Sequence, residues 1–184
     1  MDATELLKND YAFVRTLLKN YQEMEPGQTE RKKTLFQQIR QELELHSEIE
    51  EKLFYPAVRA ARTPKAERLI REAYEEHRLV RQLLRELSQD TPGSDAFDAK
   101  FKVLKENVLH HAKEEEHDVF WVAREHLSKE DLEQLGSDLE ARKHELGGRV
   151  HQVGPLARKA RRVMNRVTRA LGLSSPGPRR RSRS

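Results

Sequence analysis

The sequence predicts an all-α protein: an up-down-up-down four-helix bundle of two repeated αα-hairpins, then a short fifth helix and a basic tail. Three observations carry this. Apolar residues recur at helical spacing over long stretches. Glycine is scarce, and alternating Val, Ile and Thr runs of the kind that build sheets do not occur. The first half of the chain is also repeated in the second. Hydrophobic and charged residues each make up 36% of the chain, the balance expected of long helices with solvated outer faces.

The helix boundaries follow from capping chemistry. Asp2 with Glu5 reads as a capping box opening a helix to about Met24, stopped by Pro26-Gly27. Thr29 can cap a second helix to about Arg62. Thr63-Pro64 pairs an N-cap with proline at the first helical position, opening a third helix to Leu87. After the loop Ser88 to Gly93, Ser94 can cap a fourth helix to about His126. Ser128 with Asp131 opens a fifth, which ends at Gly147-Gly148 and is expected across the outside or one end of the bundle. Short connections make each of the four long helices antiparallel to the one before it.

The repeat organises the rest. His46-x-x-x-Glu50-Glu51-x-x-x-Tyr55-Pro56-x-x-Arg59 returns 65 residues later as His111-x-x-x-Glu115-Glu116-x-x-x-Phe120-Trp121-x-x-Arg124. Asp10-Tyr11-x-x-Val14-Arg15-x-Leu17-Leu18 returns 66 residues later as Glu76-His77-x-x-Val80-Arg81-x-Leu83-Leu84. Helices 1 and 2 thus duplicate helices 3 and 4, and equivalent residues should face one another about a pseudo-twofold axis.

Composition narrows the chemistry. At 184 residues there is room for one domain, residues 1–150, and an appended segment, 151–184. The absence of cysteine removes disulfides, iron–sulfur clusters and thiolate zinc sites, leaving His and carboxylate as metal ligands. There is no nucleophile triad, phosphate loop or nucleotide fingerprint. The acidic start carries no apolar run behind a basic patch, so the expected location is the cytoplasm.

At helical periodicity the inward stripes are Leu7, Tyr11, Val14, Leu18 and Tyr21 in helix 1, and Ile39, Leu43, His46, Glu50, Leu53 and Ala57 in helix 2. Helix 3 gives Ile70, Tyr74, His77, Val80, Leu84 and Leu87. Helix 4 gives Phe97, Phe101, Leu104, Val108, His111, Glu115 and Val119. Polar groups therefore interrupt each apolar line. A buried glutamate is costly unless paired or bound to a cation. Two of them, each four residues after an inward histidine, stack imidazole and carboxylate on one face about 6 Å apart along the axis. That suits a nitrogen ligand on one metal and a carboxylate reaching to a second, the way bundle cores build dinuclear sites. A single inward histidine is more often a hydrogen-bonded core residue. The repeated pair, with His77 aligned, favours metal, and the donor set favours iron, then manganese or zinc, over calcium or magnesium.

At these residues the chain resembles the hemerythrin-like, or HHE cation-binding, domains. The likeness spans roughly residues 1–148 and lies in Leu7-Lys8-Asn9-Asp10, in His46-x-x-x-Glu50-Glu51 running into Phe54-Tyr55-Pro56, in Glu76-His77, and in His110-His111-x-x-x-Glu115-Glu116 running into Phe120. Leu135-Gly136 and Ala141-Arg142-Lys143 are similar to the end of such domains. The resemblance implies two iron ions per chain joined by an oxo or hydroxo bridge. Dioxygen, peroxide or nitric oxide would be the small-molecule ligand, with either peroxide handling (catalase-like) or sensing and storage as the role. Position by position, it makes His46, His77 and His111 terminal nitrogen ligands, and Glu50 and Glu115 bridging carboxylates.

One position departs from that pattern. Where the family has a histidine after Asp, and where the repeat has His77, this chain has Tyr11. Three roles fit: a phenolate ligand to ferric iron, a residue behind the ligands that leaves a coordination position open, or the mark of a mononuclear or empty site. Among the other histidines, His110 points about 100° away from the ligand line. His117, His126, His144 and His151 read as surface residues, and Glu48, Glu51, Glu114 and Glu116 as supporting or solvated carboxylates.

The net charge of +4 conceals an asymmetry. Ten Arg and Lys and no acidic residue lie in 155–184, so residues 1–154 hold 25 basic and 31 acidic groups, a net −6. Within Pro155 to Gly172, Leu156, Ala160, Val163, Val167 and Leu171 share a face ringed by arginines. The pattern fits an amphipathic helix for an anionic membrane or an acidic protein. The arginine run that follows suits nucleic-acid phosphates, and a helix folded back on the acidic bundle or a merely solubilising tail is the plain alternative.

Overall fold

The computed structural model describes residues 1–25 and 27–151. The expected amphipathic segment and arginine tail lie outside the described residues. Every element is helical: α1 (Ala3–Gln22); α2, built of Thr29–Ile49, a π-helical turn Glu50–Phe54 and Tyr55–Arg59; α3 (Pro64–Leu87); α4, built of Asp95–Glu114, a π-helical turn Glu115–Val119 and Phe120–His126; and α5 (Lys129–Glu145). The four long helices pack in a ring, α1 on α2, α2 on α3, α3 on α4 and α4 on α1. No helix among the described residues is long and apolar enough to cross a membrane.

Most ends obey the capping signals. Asp2 and Glu5 form a reciprocal capping box, as do Ser128 and Asp131, while the Thr63 and Ser94 side chains accept backbone N–H groups of their own first turns. Thr29 does not cap α2. It is the first helical residue, and Gln28 before it makes no side-chain cap bond. Helix α1 stops at Gln22 rather than Met24. Helix α2 ends at Arg59, three residues short of Arg62, whose φ of 52° turns the chain towards α3.

The stripes hold up to the glutamates and then shift. Past Glu50, Leu53 and Ala57 are only half-buried, and Phe54, Tyr55 and Val58 take the inward positions. The cause is the π turn. Tyr55 N–H donates to Glu50 C=O, a wider loop than in an α-helix, so each inward position falls one residue later than 3.6 periodicity puts it. Phe120 N–H donates to Glu115 C=O in the same way, at the repeat-equivalent place. In α3, Ala73 is buried and Tyr74 only partly so.

Helix α5 lies along α1 and reaches α2 and its π turn. Gly136 permits the approach: a Cβ there would stand 2.4 Å from the Met1 carbonyl oxygen, so no other residue fits without moving the N-terminal backbone. His151 is not a surface residue. Its ring stacks on Phe13 at 3.8 Å, and its Nε2 lies 2.9 Å from Glu42 Oε2.

Apolar packing falls into two clusters along the bundle axis. One gathers Leu6, Leu7, Ile49, Phe54, Val58, Ile70, Val119 and Phe120. The other gathers Val14, Leu18, Phe36, Ile39, Val80, Leu84, Phe101 and Leu104. A polar layer separates them.

Candidate metal centre

That layer contains all six predicted site residues. Tyr11, His46, Glu50, His77, His111 and Glu115 are each 5% exposed or less, and every one of the four long helices contributes. Donor atoms converge in two sets, Glu50 with His77 and His111, and His46 with Glu50 and Glu115. Within each set they lie within 4.8 Å of one another. Glu50 belongs to both. Its Oε1 is 2.9 Å from His46 Nε2, and its Oε2 is 3.3 Å from His77 Nε2, which in turn is 3.1 Å from His111 Nε2. The Tyr11 hydroxyl donates to Glu115 Oε2 and stands 3.5 Å from Glu50 Oε1.

Behind each imidazole stands a carboxylate. Glu51 Oε1 is 2.9 Å from His77 Nδ1 and also accepts from Arg81 at 2.6 Å. Glu76 Oε2 is 2.6 Å from His111 Nδ1. Asp10 Oδ2 is 3.6 Å from His46 Nδ1. A carboxylate on the far nitrogen orients a histidine and leaves the near nitrogen free to bind a metal. The repeat extends to these supports, since Arg15 holds Glu116 at 2.7 Å as Arg81 holds Glu51. Where the repeat would place an imidazole against Glu116, the chain has Tyr11.

The electrostatics draw protons into the layer, because buried carboxylates there face one another and the imidazoles. Burial pushes Glu115 well above the ordinary carboxylate range, and the Glu50 charge adds to the push. Burial opposes Glu50 too, but His46 and His77 hold it well below that range. Burial would lower His46, yet Glu50 and the Asp10 contact raise it to about 10. His77 moves up for a similar reason, with Glu50 and Glu51 outweighing burial. His111 moves down through burial and the neighbouring His77. Burial and then Glu115 keep the Tyr11 hydroxyl protonated, well above the usual phenol range.

Several of these atoms are buried with no hydrogen-bond partner: both ring nitrogens of His46, Glu50 Oε2 and Glu115 Oε1. The contact of His46 with Glu50 is close but not aligned for a hydrogen bond. Lone pairs turned towards a common space, on imidazole and carboxylate, fit a cation.

Tyr55 was not expected here. The π turn brings its hydroxyl inward to 3.3 Å from His77 Nε2. Its repeat mate Phe120 has no hydroxyl, so the only signal in the sequence was that mismatch. His110 lies off the centre, as expected. It joins Glu76 and Glu114 in a separate, largely exposed donor set on the α3–α4 seam.

The fold and this layer define a metal-binding four-helix bundle, and comparison with known proteins identifies its kind. Residues 2–123 match the family model described as the hemerythrin HHE cation binding domain, and the chain belongs to that family. A crystal structure of an HHE cation-binding-domain protein from Mycobacterium kansasii, a homologue of Rv2633c, superposes with a TM-score of 0.70 at 30% identity. It covers 79% of this chain and 87% of that one. The uncharacterised protein Rv2633c of Mycobacterium tuberculosis is 30% identical over 149 residues, 80% of this chain and 89% of its own. A protein of Nostoc named as a DNA nickase is 27% identical over 150 residues. The match takes in 82% of this chain but spans only 41% of the nickase.

Proposed function

We propose that the chain is a non-haem di-iron protein whose pair of ions is held by His46, Glu50, His77, His111, Glu115 and Tyr11, and which meets dioxygen, peroxide or nitric oxide there. The observation that carries this reading is the place of Glu50 in both donor sets, one oxygen towards His46 and the other towards His77. A carboxylate with its two oxygens aimed at two histidine-bearing positions is built to span two cations. Imidazole, carboxylate and phenol together suit iron better than zinc or manganese. Iron bound there would supply electrons and Lewis acidity to a small oxidant or diatomic ligand.

The chain's own residues do the rest. Glu51 and Glu76 orient His77 and His111 by hydrogen bonds, and Asp10 stands behind His46 as a charged neighbour. Ile49, Phe54, Val58 and Phe120 on one side, and Val14, Leu43, Val80 and Val108 on the other, keep bulk water from the layer. Tyr11 and Tyr55 bring the only phenolic hydroxyls of the layer, and Tyr11 holds its proton against Glu115. The division at residue 150 belongs to the same proposal, although His151 still packs on the bundle: the bundle holds the metal, and the segment that follows makes contacts of its own.

Metal analysis of freshly purified protein, with a visible spectrum, tests the reading. Two irons per chain are expected, and deletion of 155–184 should leave that number intact. One or no iron, with zinc or manganese in its place, overturns it. Oxygen release from added peroxide by the iron-loaded chain marks catalysis. Iron-dependent protection of backbone amides without turnover marks a sensor or store.

A further inference from the structure

The geometry points to Lys143 of α5 as a positioning residue for the metal centre, acting through Asp10 on His46. The inference rests on the metal-site reading above and extends it to a helix beyond residues 2–123, the part that matches the family model.

Lys143 is fully buried, at 0% exposure. Lysine almost never is, because its long stem normally lets the ammonium reach water. Here Nζ lies 2.7 Å from Asp10 Oδ2 and 3.7 Å from Glu42 Oε2. Asp10 is itself buried, and the same Oδ2 stands 3.6 Å from His46 Nδ1. Ammonium, carboxylate, imidazole and the shared Glu50 thus form one line from α5 to the centre of the bundle. The end of α5 closes over this line. Gly148 N–H donates to the Lys143 carbonyl, and a Cβ on Gly148 would stand 2.8 Å from Lys143 Cγ and 2.9 Å from Leu45 Cδ1.

A surface anchor for α5 would not need a charge at this depth. An ammonium there holds the Asp10 carboxylate by charge behind His46, 3.6 Å from Nδ1, where the carboxylate attracts the ring proton to Nδ1 and leaves Nε2 for a metal. The repeat provides an internal control. Glu76 occupies the equivalent place behind His111, yet it is half-buried, and its ion-pair partners among the described residues are His111 and His110. Two imidazoles in equivalent places are therefore backed by different means, one by a carboxylate held by a buried ammonium and the other by a carboxylate open to water.

The test is anaerobic titration of the full-length, metal-free chain with ferrous iron against a chromophoric chelator. Circular dichroism and the metal-free melting curve report on folding. In Lys143→Met, one of the two binding steps should weaken by about tenfold to a hundredfold, the usual effect of removing a group behind a metal-bound histidine, while the other step stays as in the wild type. Asp10→Asn should weaken the same step, and Glu76→Gln the other. The double variant Lys143→Met/Asp10→Asn leaves no lone buried charge, so it keeps the test alive if the single variant fails to fold. It should lose no more than the worse single variant, since the two residues act in series.

Unchanged binding in a folded Lys143→Met chain overturns the inference. So do losses that add in the double variant, or equal weakening of both steps in proportion to a lowered melting point, which is the mark of a plain structural anchor. A wild-type chain that takes up a single ion overturns the dinuclear reading alone. Lys143 then stands or falls by whether that one step weakens.

Discussion

The hairpin α1–α2 and the hairpin α3–α4 share a plan and differ in what they present to the centre. Shared are His46 with His111, Glu50 with Glu115, a π turn after each glutamate, and an arginine–glutamate pair on each side, Arg15–Glu116 and Arg81–Glu51. Different are Tyr11 against His77, Tyr55 against Phe120, and Asp10 gripped by buried Lys143 against Glu76 facing water. The shared residues build a frame with space for cations. The departures decide what that space can do, because each changes the charge or the proton supply at one end of the layer only.

The comparison breaks most sharply if the equivalent histidines prove inequivalent. His46→Ala and His111→Ala should each bring bound iron well below two per chain. Each should also remove most of the stabilisation that metal confers, roughly 3 to 4 kcal/mol when free metal is a hundred to a thousand times the dissociation constant. Elemental analysis and melting curves with and without metal read both. Full iron and an unchanged melting curve in both variants would sink the site assignment.

Exchanging Tyr11 sharpens it. A phenolate on ferric iron gives a visible charge-transfer band, which should vanish in Tyr11→Phe while most iron remains. In Tyr11→His the new imidazole would find Glu116 already held by Arg15, as His77 finds Glu51 held by Arg81. The variant should bind iron at least as well as the wild type, with the band gone and the reactivity towards peroxide altered. Identical wild-type and Tyr11→Phe spectra would rule the phenolate out.

Proton competition is a gentler probe. Without metal, His46 stays protonated up to about pH 10, and a nitrogen must shed its proton to bind a cation. Metal affinity should therefore rise with pH across the neutral range, by about tenfold per unit for one displaced proton. Chelator competition at several pH values reads this slope, and a flat profile contradicts it. The smallest effect expected is that of Tyr55→Phe. It removes one buried hydrogen bond to His77 and should cost the metal-free protein about 1 kcal/mol in chemical denaturation.

Much of this was legible in the sequence. The bundle, the helix order and the six residues of the layer follow from periodicity, capping and the repeat, because local chemistry and burial point the same way at those positions. The misreadings have physical causes. A constant 3.6 period cannot register one wider turn, so it puts Leu53 and Ala57 inward and passes over Tyr55. Lys143 stands in the sequence only as part of the Ala141-Arg142-Lys143 likeness, with no role attached, since lysine in a polar helix reads as solvated, and only the approach of α5 permitted by Gly136 carries its ammonium to Asp10. His151 reads as a surface residue in the sequence because Phe13 and Glu42, its partners, are more than a hundred residues away in the chain.

The two π turns make chain length itself a functional quantity. Excising a single residue from Glu51–Phe54 would let the ladder of α2 close as an ordinary α-helix. His46 and Glu50, upstream of the excision, would keep their bearing on the centre. Tyr55 would then stand four residues after Glu50 and keep its bearing too, since the wider turn absorbs the one extra residue. Loss of Pro56 or Ala57, beyond the turn, would do the opposite: all that follows would swing by about 100° about the helix axis and carry Val58 off the inner face. Either chain would conserve every ligand, yet only the second would lose its apolar wall, altered by counting rather than by substitution.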